Sequence, residues 1–104
     1  MTRHIILWTL KEMPEAEKAR VKAGIKAGLE GLAGQIPGLV SIRVETGRLP
    51  SSTADLMLDA AFESPAALAA YAVHPAHQAG ANTKVRPFTA LRSCLDFVDW
   101  SPRR

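Results

Sequence analysis

Apolar and polar residues follow one another along this chain in runs that predict alternating strands and helices. Residues 3–10 are apolar at nearly every position, a pattern typical of a strand that is covered on both faces. After Met13-Pro14 the apolar residues recur every three or four positions, which predicts a long amphipathic helix. The later strands are predicted from alternating residues. The predicted strands cover residues 3–10, 39–46, 55–62 and 90–98, and the predicted helical regions cover residues 15–35 and 64–84.

The predicted order is strand, helix, strand, strand, helix, strand, which is typical of an α+β domain with a ferredoxin-like fold. Such a domain has a four-stranded antiparallel sheet with both helices on one side. In the first strand, Ile5 and Leu7 point to one face of the sheet. Ile6 and Trp8 point to the other, so a single subunit leaves one apolar face uncovered. We therefore expect face-to-face homodimers, with Ile6, Trp8 and Met57 shaping the interior between the two sheets.

The second helical region is predicted to break at His74. Ser64 and Pro65 are typical of a helix start, with the serine as N-cap and the proline at the first helical position. Pro75 disfavours helical backbone for the residue before it, so a new helix is expected to begin at Pro75. His77 then lies in the first turn of that helix. The helix dipole there disfavours a positive charge, which predicts a neutral imidazole.

The stretch from Tyr71 to His77 holds the only tyrosine and two of the three histidines of the chain. Histidine and tyrosine are among the few side chains that transfer protons in a small domain, so a neutral His77 is a candidate general base. The alternative is structural: His74 ends a helix and His77 is a partly buried residue. A metal site is not expected, because a closed zinc site needs about four ligands and Cys94 has no cysteine partner.

The composition indicates one globular domain over residues 1–104, because 47% of the residues are hydrophobic and 22% are charged. The net charge is +3 and the basic residues are scattered, so no nucleic-acid partner is expected. The single cysteine, Cys94, allows no internal disulfide, which fits a reducing compartment. The apolar run at residues 5–8 is too short for a membrane span or a targeting segment. We therefore expect a cytoplasmic protein with no membrane partner.

Several segments of the chain recur together in one protein family. They are the opening Arg3-His-Ile-Ile-Leu-Trp, the Ile36-Pro-Gly turn, the strand at 55–62 with Glu63-Ser-Pro after it, the Tyr71-x-x-His-Pro-x-His77 run, and Arg86-Pro-Phe before a strand that contains Asp96-Phe97. The chain resembles the stress-responsive dimeric α/β-barrel (Dabb) domain family, the family of olivetolic acid cyclase, over essentially its whole length. The resemblance implies a homodimer in which two four-stranded sheets form a shared barrel.

The resemblance also implies a candidate site. The cyclase closes an aromatic ring from a polyketide thioester by aldol condensation, without a cofactor. By this resemblance His77 is the general base, Tyr71 lies beside it and His4 lies near the pocket. A second pocket tyrosine of the cyclase falls near Ile25, so a different substrate is expected. The predicted site has no cofactor and no metal; its catalytic residues are His77, Tyr71 and His4, its substrate-binding residues are His74, Trp8, Ile6, Met57 and Ile25, and Asp55 and Asp59 are alternative polar groups.

The sequence therefore favours a small homodimer that binds a hydrophobic small molecule, with cyclase-like acid–base chemistry as the expected reaction if it is an enzyme. Two alternatives stay open. One is a haem- or oxygen-dependent, monooxygenase-like enzyme of the same superfamily, which rests on analogy of fold alone. The other is a stress protein that is purely structural or builds larger assemblies.

Overall fold

The computed structural model describes residues 1–99 and has the predicted order of elements. The strands are β1 (Thr2–Leu10), β2 (Leu39–Glu45), β3 (Leu56–Phe62) and β4 (Thr89–Val98), and the helices are α1 (Glu15–Glu30), α2 (Pro65–Val73) and α3 (Pro75–Gly80). A π-helical segment, Ala81–Val85, and a 3-10 turn, Arg86–Phe88, connect α3 to β4. The predicted ferredoxin-like fold is confirmed. Residues 100–104 of the predicted domain lie outside the described part of the chain.

The four strands form one antiparallel sheet in the order β2-β3-β1-β4. The register of β1 with β4 places His4 opposite Asp96 and Trp8 opposite Arg92. Because directly opposed residues point to the same face of a sheet, these four side chains share one face.

The two faces of this sheet differ in what covers them. Along β1, Ile6 and Trp8 are each 4% exposed under the helices, whereas Leu7 is 43% exposed on the other face. We call that other face the open face; Met57 lies on it, opposite Leu7. The expectation that Ile6, Trp8 and Met57 shape one interior is therefore wrong, because the alternation of side chains separates them. The exposed large apolar residues of the open face are Leu7, Leu91, Leu95 and Phe97.

Helix α1 ends at Glu30, earlier than the predicted end at residue 35. The apolar spacing on which that prediction rested continues beyond the helix, because Leu32 and Ile36 still pack into the core from the following turn. Gly34 has a φ of 82°, a left-handed conformation that a regular helix does not allow. The spacing of apolar residues thus predicted burial correctly but placed the end of the helix too late.

The turn from α1 into β2 passes very close to α2. Gly38 has a φ of 81°, and a Cβ at this position would lie 2.6 Å from the Cβ of Ala67. Both the conformation and the close approach require glycine. The carbonyl of Gly38 also accepts a hydrogen bond from the backbone of Glu63, at 2.9 Å, which ties the turn to the start of α2.

The core lies between the helices and the covered face of the sheet. Its largest fully buried side chains are Tyr71, Phe62, Ile25, Leu58 and Val44. Of the helices among residues 1–99, none combines the length and the apolar character needed to cross a lipid bilayer.

Candidate functional site

The break between α2 and α3 occurs at His74, as predicted. Ser64 caps α2 by accepting a hydrogen bond from the backbone of Ala67, at 3.1 Å, and Pro65 is the first helical residue. His74 has an extended conformation, and its Nδ1 accepts a hydrogen bond from the backbone of Ala76, at 3.1 Å. His74 therefore caps α3, a role that histidine can take because Nδ1 of its neutral ring is an acceptor. It is not among the residues that line the cavity described below.

His77 projects from the first turn of α3 back toward α2. Its Nδ1 lies 3.2 Å from the carbonyl oxygen of Ala72. A carbonyl oxygen only accepts, so Nδ1 carries the proton and Nε2 keeps a free lone pair. Burial is the largest cause that lowers the pKa of His77 below its ordinary value of 6.5. The prediction of a neutral imidazole agrees with this direction.

Tyr71 stands beside His77 with its ring centre 4.2 Å from that of the imidazole. The side chain is 1% exposed, and its hydroxyl has no hydrogen-bond partner among the described residues. Burial raises the pKa of Tyr71 to about 12, so the phenol stays protonated at neutral pH. A buried hydroxyl without a partner costs free energy, and native proteins seldom leave one unsatisfied.

His4 reaches the same region from β1 and is held by β4. Its Nδ1 is in hydrogen-bond contact with the carboxylate of Asp96, and its ring centre lies 6.0 Å from that of Tyr71. Burial acts to raise the pKa of Asp96, but the hydrogen bonds with His4 and Cys94 and the nearby positive charge together outweigh it, and the pKa is lowered. Asp96 is therefore ionised at neutral pH and orients the imidazole of His4.

These side chains meet at a cavity of about 390 Å³ between the covered face of the sheet and the α2–α3 region. His4, Tyr71 and His77, the three predicted catalytic residues, all line it, as do Ile6 and Trp8. Ile25 is fully buried in the core and does not line it, and Met57 lies on the open face. The structure thus brings together five of the eight predicted site residues and separates the other three.

Two charged residues at this cavity were missed by the sequence analysis. Arg86 and Arg92 both line it, from the 3-10 turn and from β4. A signal for Arg92 was present, because the alternation along the last strand puts it on the same face as Cys94. No comparable signal marked Arg86.

One group of described residues has the composition of a metal site. Ligand atoms of His4, Cys94 and Asp96 lie within 4.8 Å of one another. Their mutual contacts account for this arrangement, because Asp96 binds Nδ1 of His4 and accepts from the Cys94 thiol at 3.4 Å. Burial and the carboxylate of Asp96 raise the pKa of Cys94, so the sulfur is a thiol at neutral pH.

A second, larger cavity of about 530 Å³ lies on the open face, beside the loop at residues 47–55. Its ionisable side chains already have partners: Arg48 binds Asp55 at 2.8 Å, and Glu45 binds Arg43 at 2.8 Å. Asp55 also accepts a hydrogen bond from the backbone of Leu10, at 2.7 Å. Asp59 pairs with Arg3 at 2.5 Å. These alternative polar groups are therefore engaged in the fold, and the groups that remain available for chemistry lie in the other cavity.

Comparison with known proteins shows the family and the fold of the chain. The sequence matches the family described as the stress responsive A/B barrel domain (Dabb) over residues 2–99. The chain belongs to this family. Comparison with curated proteins gave no significant match.

Solved structures with the same fold include proteins of quite different description. A dimeric protein of unknown function with a ferredoxin-like fold from Bacteroides fragilis is 28% identical, with a TM-score of 0.85 and coverage of 92% of this Dabb chain and 93% of that one. A hydroxynitrile lyase from Passiflora edulis is 15% identical, with a TM-score of 0.70 and coverage of 98% and 96%. A Nitrosomonas europaea protein assigned to the antibiotic biosynthesis monooxygenases is 13% identical, with a TM-score of 0.74 and coverage of 97% and 100%. The last two likenesses show the fold alone.

Proposed function

We propose that this Dabb protein is a homodimer in which each subunit binds an apolar small molecule and transfers a proton on it without a cofactor. One observation carries the proposal: in a single cavity, the imidazole of His77 keeps a free Nε2 lone pair beside the unpartnered, buried hydroxyl of Tyr71. The first group accepts a proton and the second donates a hydrogen bond. This pair suits proton abstraction from a carbon next to a carbonyl group.

The proposed step uses both groups at once. Nε2 of His77 takes the proton from the carbon, and the electron pair of the broken C–H bond moves to the carbonyl oxygen. Tyr71 donates its hydroxyl proton in a hydrogen bond to the resulting enolate oxygen. The enolate then either regains the proton from His77 or attacks a second carbonyl carbon, as in an aldol ring closure. Ile6 and Trp8 supply the apolar walls.

Self-association is supported by the exposed apolar residues of the open face and by the dimeric state of the similar B. fragilis protein. Apolar area of this kind favours burial against a second copy. The covered face stays within each subunit, so each subunit keeps its own cavity. The absence of a disulfide partner for Cys94 supports the proposal of a reducing, cytoplasmic location.

The test is hydrogen–deuterium exchange at a carbon next to a carbonyl, followed by NMR in D₂O with propiophenone as the probe. We expect the protein to accelerate exchange and His77→Gln to slow it by about 10²- to 10⁴-fold, the usual contribution of a general base. His74→Asn is the matched control, because asparagine can still cap α3. Exchange no faster than in buffer, or an equal loss in both variants, would contradict the proposal.

The two alternatives that the sequence left open, a haem- or oxygen-dependent enzyme and a structural or assembly protein, stay predictions. No contact among residues 1–99 favours a haem- or oxygen-dependent monooxygenase over proton transfer. An assembly protein is distinguished by particle size: light scattering would report a large particle where we expect a dimer.

A further inference from the structure

The cavity has a positive rim. Arg86 and Arg92 both line it, and no aspartate or glutamate is among its lining residues. An apolar, neutral ligand would need neither guanidinium. Two exposed cations beside the apolar part of the cavity wall therefore indicate a property of the ligand that the proton-transfer groups do not explain.

Both guanidiniums act on the groups proposed for chemistry. Burial is the largest cause of the lowered pKa of His77, and the positive charges of Arg86 and Arg92 lower that pKa further. Burial raises the pKa of Tyr71, and the charge of Arg92 opposes that rise. All four side chains line the same cavity, so a small molecule bound there has the two cations, the imidazole and the phenol in its walls.

The arginines of the cavity also differ in pairing from three other arginines of the chain. Arg3, Arg43 and Arg48 each form a salt bridge with a carboxylate. Among the described residues, Arg86 and Arg92 form none: Arg86 contacts the neutral amide oxygen of Asn82.

One carboxylate that feels the charge of Arg92 is Asp96, which lies four residues further along β4. Asp96 is already bound by Nδ1 of His4 and by the Cys94 thiol. It offsets part of the positive charge without occupying the guanidinium. Among the described residues, Arg86 thus contacts the Asn82 amide oxygen and Arg92 the Cys94 sulfur, and neither has a carboxylate in a salt bridge. A guanidinium has five N–H donors, so both can still bind an anionic group.

We propose that the ligand is an apolar molecule that carries a carboxylate, and that Arg86 and Arg92 bind this carboxylate at the mouth of the cavity. Its apolar body lies against Ile6, Trp8 and Leu58. Guanidinium groups match a carboxylate in geometry and in charge. The inference rests on the proposed function, since it names the substrate class of the same cavity. It places the acidic group at the rim and the reacting carbon deeper, near His77.

The test is isothermal titration with matched pairs of ligands: 3-phenylpropanoate against 3-phenylpropanamide, and octanoate against octanamide. We expect each carboxylate to bind about tenfold or more tightly than its amide, as a charge-assisted hydrogen bond provides. Raising the salt concentration from 50 to 300 mM should weaken the carboxylate alone. Arg92→Gln and Arg86→Gln should each reduce the preference for the carboxylate by weakening its binding more than that of the amide.

Arg20→Gln is the control variant, because it removes the same charge from the exposed surface of α1. It should bind both ligands as the natural protein does. Equal affinity for carboxylate and amide overturns the inference but leaves the cavity as a binding site for neutral molecules. An equal weakening of both ligands by Arg92→Gln also overturns it and assigns the arginine to structure. If no ligand binds and His77→Gln leaves deuterium exchange unchanged, the inference and the proposed function both fall.

Discussion

The two faces of the sheet leave different kinds of surface unsatisfied. On the covered face, the hydroxyl of Tyr71 has no hydrogen-bond partner within residues 1–99, and His77 keeps a ring nitrogen that is not used in its hydrogen bond to Ala72. On the open face, Asp59 is paired with Arg3, but large apolar side chains such as Leu95 remain exposed. Unsatisfied polar groups inside a cavity indicate a ligand, whereas unsatisfied apolar area on a flat face indicates a protein surface. The sheet thus separates proposed chemistry from proposed assembly.

A charge placed on the open face should have the largest effect, and the effect should be on dimerisation. Leu95 is 62% exposed in the subunit, so Leu95→Lys should leave the subunit folded but place a charge in the proposed dimer interface. We expect the dimer to be replaced by monomers in size-exclusion chromatography with light scattering. Val73→Lys is the control, because Val73 is 73% exposed at the end of α2, away from the sheet. Monomers in both variants, or dimers in both, would contradict the prediction that the open face is the dimer interface.

The covered face can be tested by removing one oxygen atom. Tyr71→Phe should slow deuterium exchange by about 10²-fold, because an enolate oxygen loses its hydrogen-bond donor. It should also raise the free energy of unfolding by about 1 kcal/mol, because a buried hydroxyl without a partner is removed while the ring still packs against Phe62. Chemical denaturation checks the expected rise in the free energy of unfolding, and the exchange assay checks the expected fall in the rate of deuterium exchange. Lower stability with unchanged exchange would make the tyrosine a structural residue.

The sequence predicted the order of the elements and the break at His74, because both follow from local rules of spacing and of proline conformation. The end of α1 was missed because Leu32 and Ile36 are buried without being helical. Contacts between residues that are far apart in the sequence could not be predicted either, and the pairing of His4 with Asp96 is an example. It depends on the register of β1 with β4, which no local pattern specifies. For the same reason the sequence placed Ile6 and Met57 in one interior.

A carboxylate near the open-face cavity should matter for stability and not for chemistry. Burial acts to raise the pKa of Asp55, but the hydrogen bonds from Leu10 and Arg48, together with the charges of Lys18 and Arg48, outweigh it and lower that pKa. Asp55→Asn should therefore reduce the free energy of unfolding by about 2 kcal/mol, because charge-assisted hydrogen bonds to a buried group are lost. Glu12→Gln, on a fully exposed side chain, is the control and should change nothing measurable. Deuterium exchange by the folded Asp55→Asn variant should equal that of the natural protein; a specific loss of exchange would move chemistry to the open face.

The smallest expected effect is the dependence of stability on pH, and it should separate the two faces once more. The pKa of His77 in the folded chain lies below its ordinary value of 6.5, so the unfolded chain binds the proton more readily. Stability contributed by the neutral imidazole is therefore complete above pH 6.5 and is lost as the pH falls from there toward the lowered pKa, with a slope of at most about 1.4 kcal/mol per pH unit for one proton. Asp55 and Asp96 also have lowered pKa values, but their contributions to stability are lost only below the ordinary carboxyl value of 3.8.

Between pH 7 and pH 5, therefore, only the titration of His77 on the covered face should change the stability. Chemical denaturation across this range should show a decline in the natural protein that is reduced in His77→Gln and retained in His74→Asn. If stability declines as much in His77→Gln as in the natural protein, another group titrates in this range, and the prediction of a neutral base at His77 is contradicted.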